Sequence, residues 1–229
     1  MTSTHTRPFR GQAAPWRPTG QPGPADPECG GPFRLLYVCT GNMCRSVFAE
    51  VITRHALQER SARRAAWFHV SSAGTAASPG QAVHPYTVAA LRRMGIQLDG
   101  YEARRLTPSL LRDSDLVLTA TVAQRDWAVG LLPAGSRRTF AIREFARVCD
   151  TLAGTPGRDE PPLDAPPNPA EQARRVVSAA ATLRGQVPFV EPAEDDIQDP
   201  RLRQRAFRLC AQDIALTVRA CVHALCTTH

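Results

Sequence analysis

The chain has 229 residues, enough for one well-buried core or at most two small ones, with 43% hydrophobic residues as in an ordinary globular protein. No run of about 18 apolar residues suggests a membrane span, and MTSTHTRPFRGQAAPWRPTG lacks the apolar stretch of a secretory leader, so a cytoplasmic protein that does not engage a membrane is expected. The net charge is +7 and all 28 basic residues are arginine, but no arginine cluster is interleaved with base-stacking aromatics, which argues against nucleic-acid binding.

In chain order, residues 1–32 carry Pro, Gly and Ser/Thr with little apolar content and are expected to form a disordered tail. From Phe33 onward strand and helix patterns alternate. FRLLYV (33–38), WFHVSS (67–72), DLVLTA (115–120) and RRTFA (137–141) are short, β-branched or aromatic, and bounded by turn residues. Helical patterns lie between them: SVFAEVITRHALQER, then HPYTVAALRRMG ending at Gly95, then TPSLLRDS. After Cys149 comes the Pro-rich TLAGTPGRDEPPLDAPPNPA, longer than a compact domain usually needs, and then helix-like AEQARRVVSAAATLRG. An acidic segment, EPAEDDIQDP, leads into RLRQRAFRLCAQDIALTVRACVHAL, which reads as a long amphipathic helix. The expectation is a single α/β domain over 33–229 with a Pro-rich insertion around 150–190. Its centre is a four-stranded parallel sheet flanked by helices on both faces.

The segment between the first strand and first helix, CTGNMCRS (39–46), carries the chemistry. In open α/β sheets ligands bind beyond the carboxyl ends of strands, where a helix N-terminus offers free N–H groups. Gly41 permits close backbone approach, and Asn42 tolerates left-handed conformations that curl successive N–H groups around an anion. Arg45 adds a planar fork that matches two phosphate oxygens. Walker A is excluded because no G-K-[ST] ending is present. A cysteine at the floor of such a cradle is favoured as the thiolate, which makes Cys39 a nucleophile, with Ser46 placed to hydrogen-bond the sulfur and cap the helix. Seven cysteines without a CxxC pair do not suggest a disulfide framework or a zinc site, and Cys149, Cys210 and Cys221 read as core filler. No metal or cofactor is expected.

V-C-T-G-N-M-C-R-S resembles the active-site loop of the low-molecular-weight protein tyrosine phosphatase family. SSAGT (71–75), the helix closed by MGI, EARRL (102–106), DLVLTA, TFAIREFARV and the pair Asp199-Pro200 resemble it too, over roughly residues 33–226. The resemblance implies a phosphatase that works through a cysteinyl-phosphate on Cys39. Residues Thr40, Gly41, Asn42, Met43, Cys44, Arg45 and Ser46 would form the phosphate-binding loop, and Asp199 would be the general acid. Asp195 and Asp196 are rivals without a following proline. The resemblance further implies that Ser72 and Tyr101, the latter where the family tends to carry histidine, support the loop. It implies that Cys44 forms a reversible disulfide with an oxidised Cys39 and is reset by a thiol reductant. The implied partners are a phosphorylated protein and, in the loop, phosphate or another tetrahedral oxyanion.

Three departures bear on the substrate. Tyrosine-specific members usually place an aromatic residue just after AGT, where this chain has Ala76, Ala77 and Ser78; they also commonly carry aromatics after the D-P pair, where Arg201 and Leu202 stand. Tyr86 or the 150–190 insertion could supply the missing wall. Met43 resembles the apolar residue of tyrosine phosphatases more than the Thr of arginine phosphatases or the Ser of arsenate reductases. Arsenate reduction needs a further redox cysteine pair, for which only Cys149 stands nearby. A non-catalytic phosphate-binding protein is the third alternative, opposed by the joint presence of Cys39, Arg45 and Asp199.

Overall fold

A computed structural model describes residues 31–98, 100–154, 168–200 and 203–227. The expected tail, apart from Gly31 and Pro32, and the Pro-rich residues 155–167 lie outside the described residues.

Four strands, β1 (Phe33–Cys39), β2 (Phe68–Gly74), β3 (Leu116–Thr119) and β4 (Thr139–Ala141), form one parallel sheet in the order β2-β1-β3-β4. In β1 every residue except Arg34 is buried, as expected of a central parallel strand covered on both faces. Its side chains alternate between two cores. Phe33, Leu35, Tyr37 and Cys39 join the larger one with Leu116, Leu118 and Phe140, whereas Leu36 and Val38 join the smaller one with Val117, Leu106, Leu111 and Ala128. β1 pairs with β2 on one side and β3 on the other, so its carboxyl end lies where the strand order reverses.

The helices are α1 (Arg45–Arg60), α2 (Ala62–Ala65), α3 (Pro85–Arg93), α4 (Pro108–Arg112), α5 (Val122–Leu131), α6 (Ile142–Ala153), α7 (Pro169–Leu183) and α8 (Gln204–Cys226). Helices α1, α6, α7 and α8 cover the larger core, while α4 and α5 cover the smaller, so both faces of the sheet carry helices as expected. The Pro-rich stretch is followed by α7, over the helix-like AEQARRVVSAAATLRG, which buries Ala170, Ala173, Val176, Val177 and Ala180. By length and composition α8 could cross a membrane, contrary to the reading that the chain holds no such run. Its apolar residues are used differently: Phe207, Cys210, Ala211, Ile214, Val218, Cys221, Val222 and Leu225, which recur along one face of the helix, are buried against the core.

Two helices are fixed at their starts by side-chain caps. α5 has no assigned counterpart in the sequence reading, yet Thr121 and Gln124 form a reciprocal capping box at its start. α6 follows β4 directly, with the Glu144 carboxylate accepting the Ala141 N–H at 2.9 Å.

Candidate active site

Between the end of β1 and the start of α1 the chain has five residues in which to reverse direction. Asn42 makes the turn with φ of +52°, the one non-glycine residue with positive φ among the described residues. The loop's carbonyls are held from outside: Cys39 O accepts Thr75 N–H at 2.9 Å, and Thr40 O accepts Ala76 N–H at 2.9 Å. Met43 O accepts His84 N–H at 3.2 Å and the Thr87 hydroxyl at 3.0 Å. With its carbonyls engaged outward, the loop leaves its amides over: among the described residues, none of the N–H groups from Gly41 to Ser46 donates to another protein atom. A buried run of unpaired N–H groups is costly unless an anion or water takes them, and an αR–αL alternation gathers such groups into an anion-binding nest. The close approach requires glycine at position 74 of β2, where a Cβ would lie 2.5 Å from Thr40 O and 2.9 Å from Asn42 N. Gly41, by contrast, would bring a Cβ no closer than 3.4 Å to the flexible end of Met43.

A chain of polar contacts fixes the loop's interior. The Asn42 Oδ1 accepts Arg104 N–H at 2.9 Å, and its Nδ2 shares two hydrogens among Ser46 Oγ (2.9 Å), Ser72 Oγ (2.8 Å) and Tyr101 OH (3.1 Å). Ser72 and Tyr101 also contact each other, and both donate to the Glu50 Oε2, at 2.7 and 3.1 Å. Glu50 is buried on α1 and pairs with Arg54 at 2.8 Å. Burial pushes its carboxyl up, opposed by the Arg54 charge and the two hydroxyl donors. The consequence reaches Cys39: because Ser46 Oγ accepts from Asn42, its own hydrogen is free for the sulfur 3.0 Å away, the arrangement a thiolate accepts. Tyr101 thus stands between Asn42 and Glu50, and burial pushes its phenol up, aided by the Glu50 charge, so it remains a neutral donor.

Arg45 opens α1 with its side chain buried, donating from Nη1 to Ile197 O at 3.1 Å and from Nη2 to the Asp199 carboxylate at 2.7 Å. Two anchors hold the segment that delivers Asp199: Ile197 N–H donates to Ala120 O at 2.8 Å, and Asp196 caps α5 by accepting Val122 N–H at 2.8 Å. The rivals are therefore engaged elsewhere, Asp196 at α5 and Asp195 with Arg147 at 2.9 Å. Asp199 reaches the loop with its side chain 58% exposed. One contact was not anticipated: Gln124 of α5 donates to Thr40 Oγ1 at 3.0 Å. The T-x-x-Q capping box would have placed that residue in the first turn of a helix, though not against Thr40.

Cys44 stands at the N-cap of α1 and packs with Cys210 of α8 and Thr87 of α3. Cys149 is buried on α6 beside Cys221 of α8. No aromatic residue follows the β2 loop, but His84, Tyr86 and Phe207 cluster where α3 meets α8, with His84 stacked on Phe207 at 4.5 Å and Tyr86 edge-on to Phe207 at 5.5 Å. The cluster adjoins the loop through the His84–Met43 hydrogen bond.

A parallel α/β fold with a cysteine and an amide nest at its switch point, a buried arginine opening the next helix and a carboxylate facing it defines a class of thiol-dependent oxyanion-handling enzymes. Residues 34–152 match the family model of the low molecular weight phosphotyrosine protein phosphatases. The chain belongs to that family. It is 33% identical over 111 residues, 48% of this chain and 71% of the relative, to a probable low molecular weight protein-tyrosine-phosphatase, EpsP, of Ralstonia nicotianae. It is 32% identical over 111 residues, again 48% and 71%, to a protein-arginine-phosphatase of Bacillus subtilis. Among solved structures, the tyrosine phosphatase Wzb of Escherichia coli K30 in complex with sulphate shares the fold. Its TM-score is 0.53 at 19% identity, covering 81% of this chain and 92% of that one.

Proposed function

We propose that this phosphatase hydrolyses phosphotyrosine in proteins, with Cys39 as nucleophile, the loop amides and Arg45 as phosphoryl clamp, and Asp199 as general acid and then base. The observation that carries the reading is the run of unpaired amides from Gly41 to Ser46 closing on a cysteine whose sulfur is held by Ser46, with Asp199 drawn to the same arginine. Cys39 Sγ attacks phosphorus while Asp199, protonated, gives its proton to the departing phenol oxygen. The carboxylate then takes a proton from water, which attacks the cysteinyl-phosphate and releases inorganic phosphate and the thiolate. Donors fixed before the charge develops stabilise the equatorial oxygens throughout. The pairing of Asp199 with Arg45 supports a substrate-free state in which carboxylate and phosphate compete for one guanidinium. The sulphate complex of Wzb supports a tetrahedral oxyanion as the loop's ligand.

Phosphotyrosine is favoured over phosphoarginine by apolar Met43 and the aromatic cluster of His84, Tyr86 and Phe207 beside it. The relatives named for tyrosine and arginine phosphatases are nearly equal in identity, so phosphoarginine is the second reading. Arsenate reduction gains nothing from Cys149, which sits beside Cys221 rather than with a cysteine partner at the loop. We place the enzyme in the cytoplasm, a compartment where free cysteines such as the six described here stay reduced. A thiol reductant would serve to reset Cys39 after oxidation.

The test is steady-state hydrolysis of a phosphotyrosine peptide and a phosphoarginine peptide by the wild type and by Cys39→Ser. Higher kcat/KM on phosphotyrosine, abolished in the variant, is expected. Equal turnover by Cys39→Ser would eliminate the mechanism, and preference for phosphoarginine would replace the substrate.

A further inference from the structure

Cys210 is buried on a helix and reads as core filler, yet its surroundings set it apart from Cys221 and Cys226 on the same helix. α8 meets the catalytic loop through two adjacent contacts. Phe207 stacks on His84, whose N–H holds Met43 O, and one turn later Cys210 lies beside Cys44, the residue after Met43. Thr87 of α3 closes the group, touching Cys44 and donating to Met43 O at 3.0 Å. Cys44 in turn stands five residues after Cys39 in the same loop. Three thiols thus run from the catalytic sulfur through the helix cap into the core. We infer that Cys44 and Cys210 form a second disulfide, one that takes the oxidising equivalent off Cys39 and leaves the nucleophile reduced.

The chemistry proceeds in three balanced steps, the oxidant being a hydroperoxide. The Cys39 thiolate attacks hydrogen peroxide, giving a sulfenic acid and hydroxide. The Cys44 thiol condenses with that sulfenic acid, forming the Cys39–Cys44 disulfide and water. Cys210 sulfur then attacks Cys44 Sγ and yields its proton to solvent, while the Cys39 thiolate leaves. The direction of the last exchange follows from the site: the departing Cys39 sulfur is received by the Ser46 hydroxyl, 3.0 Å away. Burial, with the neighbouring Cys210, pushes the Cys44 thiol far up and keeps it protonated. Direct peroxide attack on Cys44 is therefore slow, and the equivalent enters through Cys39. Neighbouring sulfurs on packed elements then exchange as an intramolecular pair. The inference rests on the proposed nucleophile only for that way in; the adjacency of Cys44 and Cys210 stands without it.

The experiment treats the full-length protein with hydrogen peroxide, blocks free thiols with iodoacetamide, and maps disulfides by mass spectrometry after non-reducing trypsin digestion. Trypsin leaves Cys39 and Cys44 together in LLYVCTGNMCR and Cys210 in LCAQDIALTVR. A cross-link between these peptides, located at Cys44 by fragmentation with Cys39 alkylated, is the expected wild-type product. In Cys210→Ser the oxidised protein should stop at the Cys39–Cys44 link, and the alkylated fraction of Cys39 should fall several-fold. Wild-type protein carrying only the Cys39–Cys44 link would overturn the inference. Diamide oxidation of Cys39→Ser isolates the adjacency: a Cys44–Cys210 link supports it, and its absence overturns it. Phosphotyrosine hydrolysis by untreated wild type, measured alongside, reports separately on the nucleophile.

Discussion

Replacing Gly74 by alanine perturbs the active site without replacing any residue proposed to do chemistry. A Cβ there would sit 2.5 Å from Thr40 O, about 0.9 Å short of the ordinary contact limit of 3.4 Å, and 2.9 Å from both Asn42 N and Ala77 Cβ. β2 cannot yield easily, because Gly74 N–H donates to Arg104 O at 2.9 Å and Gly74 O accepts Leu106 N–H at 2.8 Å. The loop must therefore move by most of an ångström, through its Thr40–Asn42 backbone. Overpacking of this kind costs about 1–3 kcal/mol, which for a chain of this size lowers Tm by roughly 2–12 °C. Misplacing a catalytic loop by about 1 Å lowers kcat by about 10²-fold. The assay is kcat on phenyl phosphate together with calorimetric Tm. Gly130→Ala is the control: nothing lies within 4 Å of its Cβ, and inside α5 it should add about 0.5–1 kcal/mol of stability with kcat unchanged. Gly74→Ala with wild-type kcat would refute the reasoning even if Tm fell, since the strain would then have been relieved away from the loop.

Asp199→Asn should lower kcat on a phosphotyrosine peptide by about 10²–10⁴-fold, and by less on p-nitrophenyl phosphate, whose leaving group departs without a proton. It should also tighten inhibition by inorganic phosphate, because a neutral amide competes weakly for Arg45; an equal kcat loss on both substrates would remove Asp199 from the acid role. Tyr101→Phe takes one acceptor from Asn42 and one donor from Glu50, and should cost about 1 kcal/mol with kcat falling more than KM. Tyr101→His should restore kcat and introduce a pH dependence near neutrality that the phenol lacks, as read from the kcat–pH profile. The imidazole of His69, half-buried on β2, is held below its ordinary range, first by burial and then by Arg34, Arg54 and Arg104. The folded protein therefore binds fewer protons there than the unfolded chain, and stability is lost as pH falls below about 6.5. His69→Gln should flatten the fall of Tm with pH on that side, and an unchanged slope would exclude this origin.

What was legible in the sequence was local. The apolar run of β1, the Gly-Asn turn, the cysteine ahead of it and the Arg-Ser after it are contiguous, so a few residues announce a strand, a nest and a helix N-terminus together. Strand positions were found within one or two residues, with β2 continuing to Gly74 beyond the expected end at Ser72. That extension matters because the sheet register carries Gly74 opposite Cys39, where only glycine admits the loop. α5 escaped because a half-exposed helix lacks a strong apolar stripe, although its capping box was written plainly in Thr121 and Gln124.

The sequence by itself determined the class of fold and the reactive loop, since strand period, helix period and loop chemistry are all encoded by near neighbours. Only the tertiary structure decided the rest. It set Asp199 against Arg45 while engaging Asp195 with Arg147 and Asp196 at the start of α5, and it placed Tyr101 and Glu50 behind Asn42. It also brought Cys210 to Cys44 and Gln124 to Thr40, pairs 166 and 84 residues apart. Such pairings depend on how whole helices pack on a twisted sheet, and no local pattern in one chain records that geometry.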